Sequence, residues 1–573
     1  MTAGGWLSGI GIDIYDSLDP AAPNGCPTAA NFGNGSCQIL TPTYTIDRTS
    51  NSVSWTSHGS GPIADRPSAA LFGVGEWLTE GREKSICDGI SWKSVGTALT
   101  KVSYAVFDGV TSKVTLPKTY KLESDGDYIE FVAKVMEIQS VGGSVLGMIG
   151  VAGTNVDYIG PSSTSGNFAI RDHTGVNQNL PISITGYTGY DWHRYRLTQT
   201  SAILWTLTVD GTEIGTLARG TEIWFDNIGQ GYSTTYCTHA MKEITISTTL
   251  TGNLKITDFS TQLVDKKLTY TSGVTFEEFH YVAGDVIALA NHVSIEWVNV
   301  YVPQEKSTKF IKYLYQNTID GAKAADVYRI KSAYIATPIE APLIWGVDRI
   351  ITTSTGEWEN AVYIADQTDF FGGSSHGKDE KVAGSNTMLI DGVAKPITTF
   401  IAGSGSKVEF NQVSNCYKKV GTDFRSVHVA DSVRKWEFTA AGLDISNKLT
   451  WLTSEVLSSA YLAMVPILRS DVTSNLTEWG LWGESPVPVD ISVSGFTIVE
   501  NVGVPTLAMF GDTAGLHVKS EVVLGFTKPT ALTWIANDVT YNKFYFDFTG
   551  AAYTTAVGEV MDTKTRHIIK LTV

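Results

Sequence analysis

Several common signals are absent from this sequence of 573 residues, and each absence excludes a class of protein. None of its five cysteines forms a Cys-x-x-Cys pair, which argues against a zinc ribbon or a thioredoxin-like redox site. No apolar run approaches the roughly 18 residues that a membrane-spanning helix requires. The N-terminal residues lack the basic region and the long apolar run of a secretory signal. The 18 prolines and 55 glycines follow no collagen period.

Charged residues are also scarce, at 17% of the chain, and the acidic ones predominate. With 42 basic and 58 acidic side chains the net charge is −16, which argues against nucleic acid or an anionic membrane as the main partner. Hydrophobic residues make up 43%, enough to exclude wholesale disorder. The odd number of scattered cysteines predicts free thiols formed in a reducing cytoplasm, with a Cys26–Cys37 bridge left open.

Residue types that favour β-strands occur along nearly the whole chain. Runs of Thr, Val, Ile, Tyr and Trp are interrupted by turn dipeptides such as Asp125-Gly126, Asp210-Gly211 and Asp391-Gly392. Residues 307–317 are the best candidate for a helix and fit a strand equally well. No long repeat is present. We therefore predict an all-β fold, with several β-sandwich or jelly-roll domains in an elongated chain and no long regular β-helix.

Composition divides the chain into five segments, and at about 150 residues per domain the length predicts three to four domains. The segments are an arm rich in Gly, Pro and Asn (1–60), a small β-module (61–98), a β-sandwich (99–262), a connecting β region (263–340) and a second large β region (341–573). In the small module we expect Trp77 to pack against Trp92.

The third segment has a characteristic order of strands. Residues 192–197 form a strand-like run that precedes a hairpin, residues 204–215, with an Asp-Gly turn. A late strand-like run, residues 254–259, returns to the sheet. This order resembles the laminin-G and concanavalin-like sandwiches. The resemblance implies a fold and not a function, because such sandwiches include sugar binders, enzymes and spacers.

Three further stretches carry a second resemblance. They are Arg66–Trp77 with the later Cys87-Asp88-Gly89 and Trp92, the run from Trp358 to Gly392, and residues 461–467. Together they resemble bacteriophage tail fibres and tailspikes of the capsule-depolymerase type. The resemblance implies a virion protein of the phage tail, made in the host cytoplasm and assembled as a homotrimer. It also implies that residues 1–60 attach to other tail proteins, and that residues 341–573 bind or degrade a bacterial surface polysaccharide.

The strongest local signal for chemistry is the block GGSSHGKDE, residues 372–380. Glycines on both sides of His376 let a loop present the imidazole as an acid/base group or as a neutraliser of a sugar carboxylate. Lys378, Asp379 and Glu380 are predicted to bind the substrate. The alternative is a polar hairpin loop with solvated charges. Adjacent carboxylates such as Asp379 and Glu380 do not suit the two sides of one glycosidic bond.

Tyr417, Arg425 and His428 complete the predicted catalytic set. A tyrosine, whose ordinary pKa is about 10, needs a nearby cation such as Arg425 or Lys418 to act as a base. Alternation along a strand puts Arg425 and His428 on opposite faces unless a bulge intervenes. The alternatives are a half-exposed strand residue for His428 and an ordinary core or surface residue for Tyr417.

Among the tryptophans, Trp224 is the candidate for stacking on a sugar ring, whereas Trp192 and Trp205 are predicted to be core residues. No nucleotide-binding or metal-binding motif is present, so no cofactor and no metal are predicted. Three scattered acids are interpreted as turn formers, with Ca²⁺ binding as the alternative: Asp366, Asp369 and Asp391.

Three functions are open at this point. The first, which we favour, is a depolymerase that cleaves host capsular polysaccharide, by β-elimination at uronic acids rather than by hydrolysis. A neutraliser masks the carboxylate, a base removes the C5 proton, and Tyr or His protonates the leaving oxygen. The second is a non-catalytic receptor-binding fibre that holds surface glycan through a trimer. The third is a structural spacer of the virion. Neither nucleic acid nor membrane insertion is expected.

Overall fold

The computed structural model consists almost entirely of antiparallel β-sheets. It describes residues 100–571 with short gaps, one of them at 372–379, and within residues 1–99 only the backbone of five short strands. Two compact units are present, residues 1–101 with 280–283, and residues 102–279 with 284–573. The five short strands are β1 (Trp6–Leu7), β2 (Ile12–Asp13), β3 (Thr43–Asp47), β4 (Ser52–Thr56) and β5 (Leu71–Gly73). β1 pairs with β2, and β3, β4 and β5 form one sheet.

A sandwich of two sheets follows. Its elements are β6 (Thr100–Asp108), β7 (Val114–Leu122), β8 (Tyr128–Glu137), β9 (Ile149–Gly150), β10 (Tyr158–Ser162), β11 (Asn167–Arg171), β12 (Asn177–Pro181), β13 (His193–Ser201), β14 (Leu204–Val209), β15 (Thr212–Ala218), β16 (Ile223–Ile228), β17 (Thr238–Ser247), β18 (Leu254–Ile256), helix α1 (Phe259–Gln262), β19 (Thr269–Tyr270) and β20 (Val274–Tyr281). One sheet has the order β12-β11-β10-β9-β16-β7-β19. The other has the order β15-β14-β13-β8-β17-β6-β20, with β18 beside β17.

Alternation of side chains explains this sandwich. Ile129, Phe131 and Ala133 of β8 enter one apolar core to which both sheets contribute. Trp192 and Trp205 are each 1% exposed, which confirms that they are core residues. The hairpin of β14 and β15 turns at Asp210 (φ 51°) and Gly211 (φ 81°). Two successive positive φ angles are those of a type I′ turn, so the predicted Asp-Gly hairpin is confirmed.

The second β region contains the remaining strands. They are β21 (Val286–His292), β22 (Trp297–Pro303), β23 (Phe310–Thr318), β24 (Val327–Glu340), β25 (Ile344–Ile350), β26 (Ala361–Ile364), β27 (Phe370–Phe371), β28 (Glu380–Val382), β29 (Thr387–Ile390), β30 (Val393–Lys395), β31 (Ala402–Gly405), β32 (Lys407–Val420), β33 (Asp423–Thr439), β34 (Gly442–Trp451), β35 (Val456–Leu468), β36 (Glu478–Leu481), β37 (Val487–Asp490), β38 (Val499–Val502), β39 (Thr506–Gly511), β40 (Leu516–Leu524), β41 (Leu532–Asn537), β42 (Tyr541–Asp547), β43 (Tyr553–Thr554) and β44 (Val560–Leu571).

These strands form three sheets around one core. The first has the order β25-β24-β23-β22-β21-β31, and the second the order β27-β26-β35-β42-β41-β38, with β43 beside β35. The third and largest has the order β30-β29-β32-β33-β34-β44-β40-β39-β36-β37, with β28 beside β32. β19 and β20, which fall in the predicted connecting region, pair with the sandwich, whereas β21 to β25 belong to the second β region.

The largest sheet buries one face and exposes the other. On the inner face of β32, Phe410 and Cys416 are fully buried, whereas the outward-facing Val413 is 42% exposed. The outer face carries neighbouring opposite charges. Lys435 Nζ, for example, lies 2.9 Å from Glu409 Oε2 and 3.1 Å from Glu437 Oε1. The two faces of this sheet therefore give the same residue types very different surroundings.

The all-β prediction is confirmed, with several antiparallel sheets and no regular β-helix in the described part of the chain. The ambiguous segment at 307–317 forms strand β23. Among the described residues no helix has the length and apolar character to span a membrane. Cys416 is a buried free thiol. The other four cysteines, and the expected contact of Trp77 with Trp92, lie outside the described residues.

Candidate functional site

Two of the predicted catalytic residues meet on adjacent strands. Tyr417 of β32 lies opposite His428 of β33, and their ring centroids are 5.3 Å apart with an interplanar angle of 35°. Asn415 Nδ2 donates to Tyr417 Oη at 3.3 Å, and His428 Nε2 lies 2.8 Å from Asp431 Oδ1. The His428 side chain is 35% exposed. We call Asn415, Tyr417, His428 and Asp431 the Tyr–His patch.

A β-bulge creates this pairing. Cys416 pairs with Ala430, but the next residue, Tyr417, pairs with His428, so Val429 is an extra residue in β33. Val429 and Ala430 are consecutive in the sequence and both are fully buried. In a regular strand they would face opposite sides. The bulge therefore turns His428 to the face that Tyr417 occupies, and no residue pattern in the sequence signals it.

Of the two cations that the sequence suggested as activators of Tyr417, only Lys418 has a described side chain. Lys418 Nζ lies 2.8 Å from Asp366 Oδ2 and 3.0 Å from Glu455 Oε2. The hydrogen bond to Asp366, followed by that to Glu455, raises the pKa of Lys418. The charge of Lys418 is thus already neutralised. Arg425 lies in β33, where the register with β32 shifts a second time, and its side chain lies outside the described residues.

Glu380 is buried rather than presented at the surface. Its Oε2 accepts a hydrogen bond from Arg434 Nη2 at 2.6 Å, and its Oε1 accepts one from the Ser414 hydroxyl. Glu380 is 0% exposed and Arg434 is 3% exposed. Opening a buried ion pair leaves an uncompensated charge. Substrate binding by Glu380 would therefore require this pair to break.

The rest of the predicted loop, with His376, Lys378 and Asp379, lies outside the described residues, and its roles stay predictions. Asp369 lies outside them as well. Asp391 Oδ1 accepts hydrogen bonds from Ser406 Oγ at 2.7 Å and from the Lys407 backbone at 2.9 Å, as expected for a turn former. Within the described residues, no three His, Cys, Asp or Glu side chains are grouped as metal ligands would be.

Trp224 lies in β16 of the sandwich with both faces of its indole covered. The His173 ring stacks on it with centroids 3.9 Å apart and an interplanar angle of 14°. Lys121 Nζ lies 4.0 Å from the indole centroid. Because a stacked ring leaves no room for an ammonium on the same face, the two groups occupy opposite faces. A sugar could stack on Trp224 only after one of them moves.

Asp157 anchors this cluster from inside the sandwich. Its Oδ2 accepts a hydrogen bond from the Trp224 backbone at 2.6 Å, and its Oδ1 lies 3.3 Å from His173 Nδ1. The carboxylate side chain is 1% exposed. Burial raises the pKa of Asp157 to about 6. The surroundings of Trp224 therefore respond to pH in the mildly acidic range.

A cleft lies between the sandwich and the second β region, where the sequence indicated no site. It encloses about 590 Å³ including its mouth. Its lining includes Asp191, Trp192 and Asp210 from the sandwich, together with Lys312 and Trp345 from the second β region. These residues come from separate strands and turns. Within its own segment of the sequence, each of them fits an ordinary structural role. Only the packing of the two regions brings them together.

Both carboxylates of this cleft already have protein partners. Asp210 Oδ2 lies 2.6 Å from His193 Nδ1, and its Oδ1 accepts a hydrogen bond from the Arg194 backbone at 2.7 Å. Asp191 Oδ1 accepts a hydrogen bond from Asn299 Nδ2 at 3.1 Å. The carboxylates are therefore held in place before any ligand arrives.

No protein-family model matches the chain, and no curated protein sequence matches it. Solved structures with partial similarity include an alpha-N-acetylgalactosaminidase from Bifidobacterium bifidum in complex with GalNAc (TM-score 0.25, 11% identity, 48% of this chain and 36% of that chain). Galactose mutarotase-like proteins from Clostridium acetobutylicum (0.28, 10%, 50% and 99%) and Lactobacillus casei (0.25, 10%, 47% and 99%) are others. Similarity at this level assigns neither a family nor a function.

Proposed function

We propose that this chain is a bacteriophage tail fibre or tailspike that binds host capsular polysaccharide and cleaves it by β-elimination at uronic acids. The Tyr–His patch carries the chemical part of this proposal, because a phenol and an imidazole side by side supply the acid and the base. The sequence resemblance carries the phage assignment. The same assignment makes the protein a homotrimer of the virion whose residues 1–60 attach to other tail proteins.

In the proposed reaction His428 removes the C5 proton of the uronate. The electrons of the C5–H bond form the C4=C5 double bond, and the C4–O bond to the neighbouring sugar breaks. Tyr417 gives its proton to the leaving oxygen, so protons and charge balance. This division follows from the chemistry of the two side-chain types, since imidazole is the stronger base and a phenol can donate its proton to a leaving oxygen. Asp431 beside Nε2 leaves Nδ1 as the ring nitrogen for the substrate.

The substrate carboxylate needs a neutralising partner in this reaction. Asn415 lies two residues before Tyr417 on the same face, and its amide already donates to the phenol oxygen. A uronate carboxylate bound there would lie beside both rings of the patch. His376, for which the sequence suggested this role, is the other candidate, and its substitution tests the assignment.

A non-catalytic receptor-binding fibre is the second candidate function. One observation favours it: the ammonium of Lys418, next to Tyr417 in β32, is paired with two carboxylates, so it does not neutralise a uronate carboxylate at the patch. On this alternative the half-buried aromatic and polar groups of the Tyr–His patch hold the glycan without cleaving it.

The deciding experiment mixes the full chain with capsules from a panel of sensitive bacteria and follows ultraviolet absorbance from the new C=C bond. We expect His428→Gln and Tyr417→Phe each to lower the rate by about 10²–10⁴-fold with little change in melting temperature. His517→Gln is the matched control, because His517 lies on the same sheet and is partly exposed. A further variant, His376→Ala, tests the role predicted for the loop.

The other possible outcomes distinguish the elimination from the alternative functions. New reducing ends without ultraviolet absorbance would mean hydrolysis and contradict the elimination. Capsule binding without either product would establish the receptor-binding alternative. Absence of binding to every capsule would contradict both candidate functions.

A further inference from the structure

Two donor side chains at the cleft between the sandwich and the second β region make no hydrogen bond within the described chain. Lys312 is 8% exposed, and its ammonium lies 4.0 Å from Asp191 Oδ2, beyond hydrogen-bond distance. Trp192 is 1% exposed, and within the described chain its indole N–H has no acceptor. Buried donors are normally satisfied, so each unsatisfied one requires an explanation. Both residues line the cleft, and a ligand there with acceptor oxygens would give these donors partners.

The lining of the cleft has no excess positive charge. It contains two carboxylates, Asp191 and Asp210, and one ammonium, that of Lys312, while Asp210 also lies 2.6 Å from His193 Nδ1. A site without excess positive charge does not select an anion. An ionised carboxylate has about four acceptor positions, so both acids retain capacity for hydroxyl donors. Donors and acceptors side by side favour a neutral polyhydroxyl group.

The remaining wall of the cleft is aromatic and aliphatic. Trp345 stacks on Tyr301 with centroids 4.2 Å apart and an interplanar angle of 20°, and its N–H is already bound to the Pro342 carbonyl at 2.7 Å. Leu343 and Ile339 extend this surface. A pyranose ring, with one face of C–H groups and a rim of hydroxyls, complements such a mixed lining.

We propose that the cleft binds a single neutral pyranose residue. Its hydroxyl oxygens accept hydrogen bonds from Lys312 and Trp192, and its hydroxyl protons are donated to Asp191 and Asp210. This site shares no residue with the Tyr–His patch and does not depend on the lyase assignment. Within a glycan-binding protein, it would hold a neutral sugar apart from the proposed place of cleavage.

Calorimetric titration of the full chain with glucose, galactose and mannose tests the proposal, with glucuronate as the anionic comparison. We expect at least one neutral sugar to bind and glucuronate to bind more weakly. Lys312→Met should weaken the binding at least tenfold, because it removes a charged donor. Lys309→Met is the matched control, since Lys309 precedes the same strand, is 45% exposed and pairs with Asp348 outside the cleft.

A second variant keeps the test decisive if Lys312→Met does not fold. Ile339 lines the cleft and is 51% exposed, so Ile339→Trp should fill the cleft, preserve the fold and abolish sugar binding. The proposal is overturned if no neutral sugar binds the folded chain, or if binding survives Ile339→Trp. Tighter binding of glucuronate than of every neutral sugar would overturn the charge argument. Loss of lyase activity in Tyr417→Phe with sugar binding retained would separate the two sites.

Discussion

The sandwich and the second β region treat buried polar groups differently. The sandwich buries scattered polar side chains in both of its sheets, among them Lys134 and Asn227, and the buried Asp157 is held by the Trp224 backbone and His173. In the second β region, polar residues cross the buried face of the largest sheet, among them Glu380, Arg434, Asn447 and His567. An apolar core depends on shape and area, whereas a polar stripe depends on every partner being present.

The two regions also differ in the sign of their pH dependence. Burial raises the pKa of Asp157 to about 6 and lowers the pKa of His567 to about 3, because in each case burial disfavours the charged form. The contribution of Asp157 therefore makes the sandwich less stable as the pH rises from about 4 to about 6. The contribution of His567 makes the second β region less stable as the pH falls from about 6.5 towards 3.

The largest expected effect is the loss of the buried ion pair in the polar stripe. Arg434→Met leaves the Glu380 carboxylate buried without its charge partner, which should cost about 3–5 kcal/mol of unfolding free energy. Lys435→Met, one residue further and on the outer face, should cost less than about 1 kcal/mol. Urea unfolding of both variants measures the difference. Equal losses would show that burial does not distinguish the two faces.

The next effect concerns the buried histidine. His567 Nδ1 lies 2.9 Å from Ser520 Oγ, and its Nε2 lies 3.0 Å from Thr565 Oγ1, so a neutral amide can replace it. Between pH 7 and pH 4 the natural protein should lose about 3 kcal/mol of unfolding free energy through the protonation of His567. The decrease in unfolding free energy over the same range should be smaller by about 3 kcal/mol in His567→Gln. Unfolding free energies of both proteins at several pH values test this. Parallel pH curves would contradict the assignment.

The smallest effect is expected in the sandwich. Asp157→Asn keeps an acceptor for the Trp224 backbone but removes the titration. As the pH rises from 4 to 7, the unfolding free energy of the natural protein should fall by about 2 kcal/mol relative to that of this variant. Asp125→Asn, at an exposed turn, serves as the control and should follow the natural protein. A loss on lowering the pH instead would reverse the sign that burial dictates.

Much of the fold follows from local patterns. The Asp210-Gly211 turn acts within a few residues, and its prediction is confirmed. The segment at 307–317 was ambiguous because a short apolar run fits a helix or a strand, and pairing with β22 and β24 decides for the strand. The roles of His376, Lys378 and Asp379 stay predictions.

The sequence by itself determined the all-β class, the Asp-Gly hairpins and the burial of Trp192 and Trp205, because these depend on residue type and short-range periodicity. Only the tertiary structure decided how the polar residues are used. A bulge pairs Tyr417 with His428, and burial beside Arg434 encloses Glu380. The cleft of Asp191 and Lys312 likewise exists only between packed regions. Register, burial and long-range packing are set by partners distant in sequence, so no local pattern contains them.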